Sequence, residues 1–130
     1  MVKPREQQEA WKWRHLLDMD GNAFSGRFYA FLRSRSLVYK QAMMREWHAD
    51  WLWAWVHYVP LGLAAEEVAE AVRWFEEDGA DEKAGGDGKA KVIGRGQRRA
   101  RELADGGREW AKKVLRKQDL EVVFFRLLLE

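Results

Sequence analysis

A chain of 130 residues has room for one domain or part of a larger one, and its 23 basic against 21 acidic side chains, a net charge of +2, are too evenly matched to argue for a nucleic-acid partner. The absence of cysteine excludes disulfides, thiolate zinc sites and a thiol nucleophile. No apolar run approaches the roughly 20 residues a membrane span needs, and the polar stretch from Met1 to Glu9 lacks the apolar core of a signal peptide, so the chain reads as soluble. Residues 1–11 read as a polar lead-in with room for a short helix. Trp13 to Met19 is a strand candidate ending at Asp20-Gly21. Phe24, Phe28, Phe31 and Leu32 then fall at helical spacing, with Asn22 or Ser25 as the cap. Ser36 to Lys40 reads as a second strand, and the helical connection predicts a right-handed βαβ unit.

Residues 45–55 interleave Trp47, Trp51, Trp53 and Trp55 with Glu46, His48 and Asp50, the first part reading as a short helix. Trp55 to Pro60 reads as a third strand stopped by Pro60. Val68, Ala71, Val72 and Phe75 mark a helix from about Ala65 to Glu77, ended by Asp78-Gly79. Residues 79–96, rich in glycine and poor in apolar groups, are expected to form a flexible insertion. A long basic helix follows with Leu103, Trp110 and Val114 on one side, broken or kinked at Gly106-Gly107. Asp119 caps a last helix expected to bury Leu120, Val123, Phe124, Leu127 and Leu128. The alternation predicts an α/β fold with about three parallel strands, part of a Rossmann-like domain with an edge left to be covered.

The segment from Trp13 to Leu32 carries the chemistry. A strand, a glycine turn and a helix start present unpaired N–H groups and a partial positive charge, which suit a phosphate. Arg27 in the first turn opposes that dipole, and a bound anion would give it a reason to be there. A calcium loop is the competing reading of Asp18-Met-Asp20-Gly-Asn22. It fails because Ala23 stands where glycine is needed and Tyr29 where a bidentate glutamate is needed. Asp18 and Asp20 also fit the paired aspartates that hold a metal in some nucleotide-sugar enzymes, although turn-forming and capping aspartates are the favoured reading. His15, His48 and His57 share no ligand spacing, and His57 reads as a hydrogen-bonded residue of an apolar strand. The basic stretch from Arg95 to Lys117 is interrupted by Glu102, Asp105 and Glu109, which favours a solvated face over a nucleic-acid surface. The tryptophans read as packing, with Trp47 or Trp51 as the residues that could stack on a sugar ring.

Four blocks then converge. Leu16 to Phe28, Ser36 to Gln41, Arg45-Glu-Trp-His48 and Trp55 to Leu61 together resemble glycosyltransferase family 90, which contains the fungal capsule-associated xylosyltransferases and the Rumi-type protein O-glucosyltransferases. The resemblance is closer to the fungal branch, and the tail from Gly107 to Arg116 and from Phe125 to Glu130 also resembles that family. It implies a GT-B type C-terminal donor-binding domain over residues 12–130, with a UDP-sugar as donor substrate, no other cofactor and no metal. By motif position Gly21, Asn22, Ala23, Phe24, Ser25, Gly26 and Arg27 would line the donor site, Arg27 pairing with the diphosphate, and Glu46 would be a further donor contact. The implied chemistry is inverting transfer of xylose or glucose to a hydroxyl of a glycan or protein acceptor. The family's catalytic base belongs to a preceding domain, so the resemblance assigns no catalytic residue here. The chain is therefore expected to be a donor-binding fragment with weak or absent turnover. The family's location implies the ER or Golgi, with membrane attachment only through an N-terminal anchor this chain lacks. The alternative is a non-catalytic interaction module using the basic C-terminal helices.

Overall fold

The computed structural model describes residues 7–21, 25–77 and 93–129. A 3-10 helix, Gln7–Lys12, leads into β1 (His15–Met19), α1 (Arg27–Leu32), β2 (Leu37–Gln41), β3 (Val59–Leu61), α2 (Ala65–Glu76), α3 (Arg95–Val114) and α4 (Lys117–Leu129). The strands form one sheet in the order β1-β2-β3, and all three are parallel, as expected.

Residues alternate between the two faces of a strand, so register sorts the core. Leu16 lies beside Val38 in register, and both belong to a cluster with Phe28, Phe31 and Leu32 of α1, Leu52, and Trp110, Ala111 and Leu115. Leu37, Tyr39 and Val59 point the other way, onto Phe75 of α2 and Leu103 of α3. The central strand β2 is thus covered on both sides, which explains its short continuous apolar run. Each fully buried Phe or Leu contributes about 1.5–3 kcal/mol. On the edge strand β1, Leu17 and Met19 remain 41% and 47% exposed, the incompletely covered edge that three strands imply.

The third strand is shorter than predicted and begins later. Trp55 adopts φ of 62°, a left-handed conformation costly for a bulky side chain, and turns the chain before β3 can start. Its N–H donates to the Tyr58 carbonyl (2.8 Å) and its own carbonyl accepts from Arg99 Nη2 (2.7 Å), which holds the turn. Pro60 does not stop the strand but sits inside it beside Lys40, tolerated because β3 is an edge. His57 therefore lies in the turn, where it accepts the Trp53 N–H at Nδ1 (2.9 Å); burial lowers its pKa. The expected helix near residue 45 is instead a run of turns over 47–51.

Helix α3 is unbroken through Gly106 and Gly107. A Cβ on Gly106 would meet the Val56 carbonyl oxygen at 2.5 Å, and one on Gly107 would meet the His57 carbonyl oxygen and, at 3.0 Å, Leu32 Cδ2. These glycines allow close approach of two backbones rather than a kink. Arg95 and Gly96, expected in the flexible insertion, already belong to α3, and Gly96 abuts the Trp74 carbonyl. The rest of the expected insertion through Lys91 and Val92, and Asp78-Gly79 with it, lies outside the described residues.

The last helix departs most from expectation. Asp119 does help to start it, as the third residue of α4, accepting from the Arg116 backbone N–H (3.2 Å) and guanidinium. Yet none of its residues is buried, and Leu120, Phe124, Leu127 and Leu128 are exposed. Its apolar residues surround the axis instead of forming one stripe, so no single face can seat on the domain.

Candidate functional site

The register that builds the core also builds a polar cluster at the carboxyl ends of β1 and β2. Asp18 is the residue in register with Lys40, and both share the face of Leu16 and Val38 where α1 packs. Open parallel sheets bind ligands outside the carboxyl ends of their strands. Here Asp18 is fully buried and Lys40 is 5% exposed. Lys40 Nζ lies 3.3 Å from Asp18 Oδ2, 3.5 Å from Asp20 Oδ1 and 2.6 Å from Glu46 Oε1, and 4.3 Å from the centre of the Phe28 ring. Three carboxylates thus converge on one ammonium. Burial pulls the Lys40 pKa down, but the hydrogen bond and charge of Glu46 and the charge of Asp18 outweigh it, and the net shift is upward. Burial raises the pKa of Asp18 against the opposing effects of Ser25 and Lys40.

Asp18 is therefore neither a turn residue nor a cap. Asp20 does serve the loop, Oδ2 accepting the Met43 N–H at 2.9 Å. Among the described residues no group of His, Asp and Glu is arranged to hold a metal ion, and the Asp18–Asp20 pair closes on Lys40 instead.

The sequence-derived donor residues divide into two layers. Ser25 is buried and does not cap α1; its hydroxyl donates to Asp18 Oδ1 at 2.5 Å. The helix starts after Gly26 with no side-chain cap and runs only from Arg27 to Leu32, so its dipole is small. Gly26 has φ of −67°, which any residue can adopt, and among the described residues a Cβ there would meet nothing within 4 Å. Arg27 donates from Nη2 to the Met19 carbonyl (3.2 Å), its Nε lies 4.0 Å from Asp18 Oδ1, and its side chain stays 55% exposed. Gly21 is exposed beside it, whereas Asn22, Ala23 and Phe24 lie outside the described residues. Glu46 is turned inward onto Lys40.

A second network backs the first. Trp47 Nε1 donates to the Tyr29 hydroxyl (2.7 Å), leaving the hydroxyl proton for His48 Nδ1 (3.0 Å). Burial lowers the His48 pKa against the opposing charge of Glu46. Burial and the charge of Glu46 push Tyr29 up to about 12. Trp47 and Trp51 meet edge to face at 5.8 Å and keep partly exposed faces, so the tryptophans are not simply core. Sequence reasoning missed Lys40, Tyr29 and His48. The available signal was a lysine closing an otherwise apolar strand, but only the parallel register shows that it faces Asp18.

Fold and site together define an α/β chain with a partial Rossmann-like sheet whose charged residues gather at the strand carboxyl ends. No protein-family model matches the chain. It is 32% identical over 120 residues to an O-glucosyltransferase rumi homolog of Aedes aegypti, an alignment covering 90% of this chain and 25% of that protein. The chain thus spans a quarter of the relative's length, and the similarity is of a glycosyltransferase-like kind.

Proposed function

We propose that the chain is the donor-binding part of a glycosyltransferase of family 90 that transfers xylose or glucose from a UDP-sugar to a hydroxyl acceptor with inversion. The observation that carries the reading is the similarity to the rumi homolog over nearly the whole chain. The backbone at Gly26, open among the described residues, and the half-exposed Arg27 beside the strand carboxyl ends support it. In this reading Arg27 meets the diphosphate and stabilises charge on departing UDP. Gly21 through Gly26 lie along the donor, while Glu46, bound to Lys40, acts as a positioning residue. The base that deprotonates the acceptor belongs to the part of a longer transferase that this chain does not match, so the chain alone turns over weakly or not at all. The same reading places it in the secretory pathway; among the described residues no helix is long and apolar enough to cross a membrane.

Titrating UDP while following tryptophan fluorescence tests the proposal. Wild type is expected to saturate in the millimolar range, and Arg27→Ala to bind about tenfold more weakly, about 1.4 kcal/mol. No response of the wild type at millimolar UDP sinks the donor site.

A non-catalytic interaction role is the second reading, favoured by the uncovered apolar residues of α4. The pairs Arg99–Glu102 and Lys112–Glu109 on α3 interrupt its positive charge and weigh against nucleic acid. A gel shift with RNA that weakens steeply with salt would reverse that judgement.

A further inference from the structure

A second polar concavity lies at the opposite end of the sheet. It has a volume of about 160 Å³ and is walled by Arg14 and His15 at the start of β1, Arg35 just before β2, Glu76 of α2, and Gln97 and Arg101 of α3. Three residues of β1 from His15 to Asp18, roughly 10 Å at 3.3 Å per residue, separate it from the Asp18–Lys40 cluster. Among the described residues its charge is unbalanced. Glu76 is already held on both oxygens, by Arg14 Nη1 at 3.0 Å and by His15 Nε2 at 2.5 Å. His15 Nδ1 is in turn fixed by the Tyr39 hydroxyl at 2.8 Å. Arg35 and Arg101 have no hydrogen-bond or ion-pair partner among the described residues, yet both line the same cavity. The carboxylate of the recess, Glu76, is thus already engaged by Arg14 and His15, and the exposed Arg35 and Arg101 keep donors for an anion. Their planar donor forks match an oxyanion with several acceptor oxygens.

We propose that this recess binds a phosphate-type dianion, free or as a monoester, between Arg35 and Arg101, with the Arg14–Glu76–His15 network as its fixed wall. The volume suffices, since a water molecule occupies about 30 Å³ in the liquid and several would be displaced. The site is distinct from the proposed donor cleft and does not depend on it.

The test uses the full chain and inorganic phosphate at constant ionic strength, following ³¹P line broadening and the thermal midpoint. Saturable binding is expected below about 10 mM, corresponding to a free energy of a few kcal/mol. Arg35→Gln and Arg101→Gln should each weaken it at least fivefold and the double variant abolish it, while Lys112→Gln, elsewhere on α3, leaves it unchanged. Both arginines are exposed, and circular dichroism without phosphate verifies that the variants fold; Arg101→Lys provides a charge-preserving variant that should lose less than Arg101→Gln. Absence of saturable binding to the wild type overturns the proposal, as does equal loss in Lys112→Gln, which would make the loss one of net charge rather than of a site. A UDP response sensitive to Arg27→Ala but indifferent to Arg35→Gln and Arg101→Gln keeps the two sites separable. A monoester that binds at least as tightly as inorganic phosphate identifies the esterified form as the ligand, and one that binds more weakly identifies free phosphate.

Discussion

Replacing Lys40 with methionine is expected to destabilise the fold by about 3–5 kcal/mol at pH 7, the cost of leaving buried carboxylates without their cation. Methionine keeps the length of the side chain and its packing over Phe28, so loss of charge dominates the change. Asp18 is fully buried and Glu46 nearly so, and neither can regain water without opening the site. The pH dependence gives the diagnostic sign. The folded pKa of Asp18 is raised, so its ionisation opposes folding, and stability from the neutral form is lost as pH rises through that value. Lys40 restrains this rise in the wild type, and its removal lets it grow. The deficit of Lys40→Met should therefore shrink as pH falls through the acid range. For Lys40 itself the folded pKa is raised, so wild-type stabilisation is complete below the ordinary lysine value and fades as pH climbs through the higher folded one. Urea denaturation of both proteins at several pH values measures this. A deficit under about 1 kcal/mol, or one that does not change with pH, would show that the cluster is solvated rather than buried.

Gly107→Ala carries the second large effect and an unusual sign. In an exposed helix interior the change gains about 0.8–1 kcal/mol of helix propensity. Here the added methyl would collide with the His57 carbonyl and press on Leu32 Cδ2 at 3.0 Å. Carbonyl oxygen cannot rotate away as a side chain can, so α3 must shift from the turn that precedes β3. The expected net loss is about 1–3 kcal/mol, in line with overpacking of a tight core. Trp110, three residues along the same helix, donates from Nε1 to the Trp51 carbonyl at 2.8 Å and contributes to the tryptophan emission that follows this contact. Thermal melts followed at that signal and by circular dichroism should fall together. A raised midpoint would mean that the two backbones do not approach as closely as the structure shows.

Much of the architecture was legible because it depends on local pattern. Helix α2 matches the prediction over Ala65–Glu76, since Val68, Ala71, Val72 and Phe75 form one stripe, of which Ala71, Val72 and Phe75 pack on the sheet cluster. Strand β2 was legible because a strand covered on both faces must be apolar nearly throughout. Helix α4 was misread for the opposite reason. The spacing of Leu120, Val123, Phe124, Leu127 and Leu128 predicts a buried stripe, but Val122, Phe125 and Leu129 spread the apolar surface around the axis, and none of these residues is buried. The third strand was misplaced because Trp55 adopts a conformation that its residue type disfavours, a choice held by contacts with Tyr58 and Arg99 rather than by propensity.

The candidate site divides along the same line. The sequence by itself determined the parallel α/β order, the end of β1 at Asp20-Gly21 and the presence of Arg27 at the head of α1, because strand spacing, strand ends and helix starts are local properties. Only the tertiary structure decided that Asp18 is buried, that Ser25 binds it instead of capping a helix, and that Glu46 closes over Lys40. Those facts follow from strand register, which places Asp18 beside Lys40 although 22 positions separate them in the chain. Register is set by packing of Leu16, Val38 and α1 on the shared face, and a one-residue slip of β1 against β2 would put the two charges on opposite faces of the sheet.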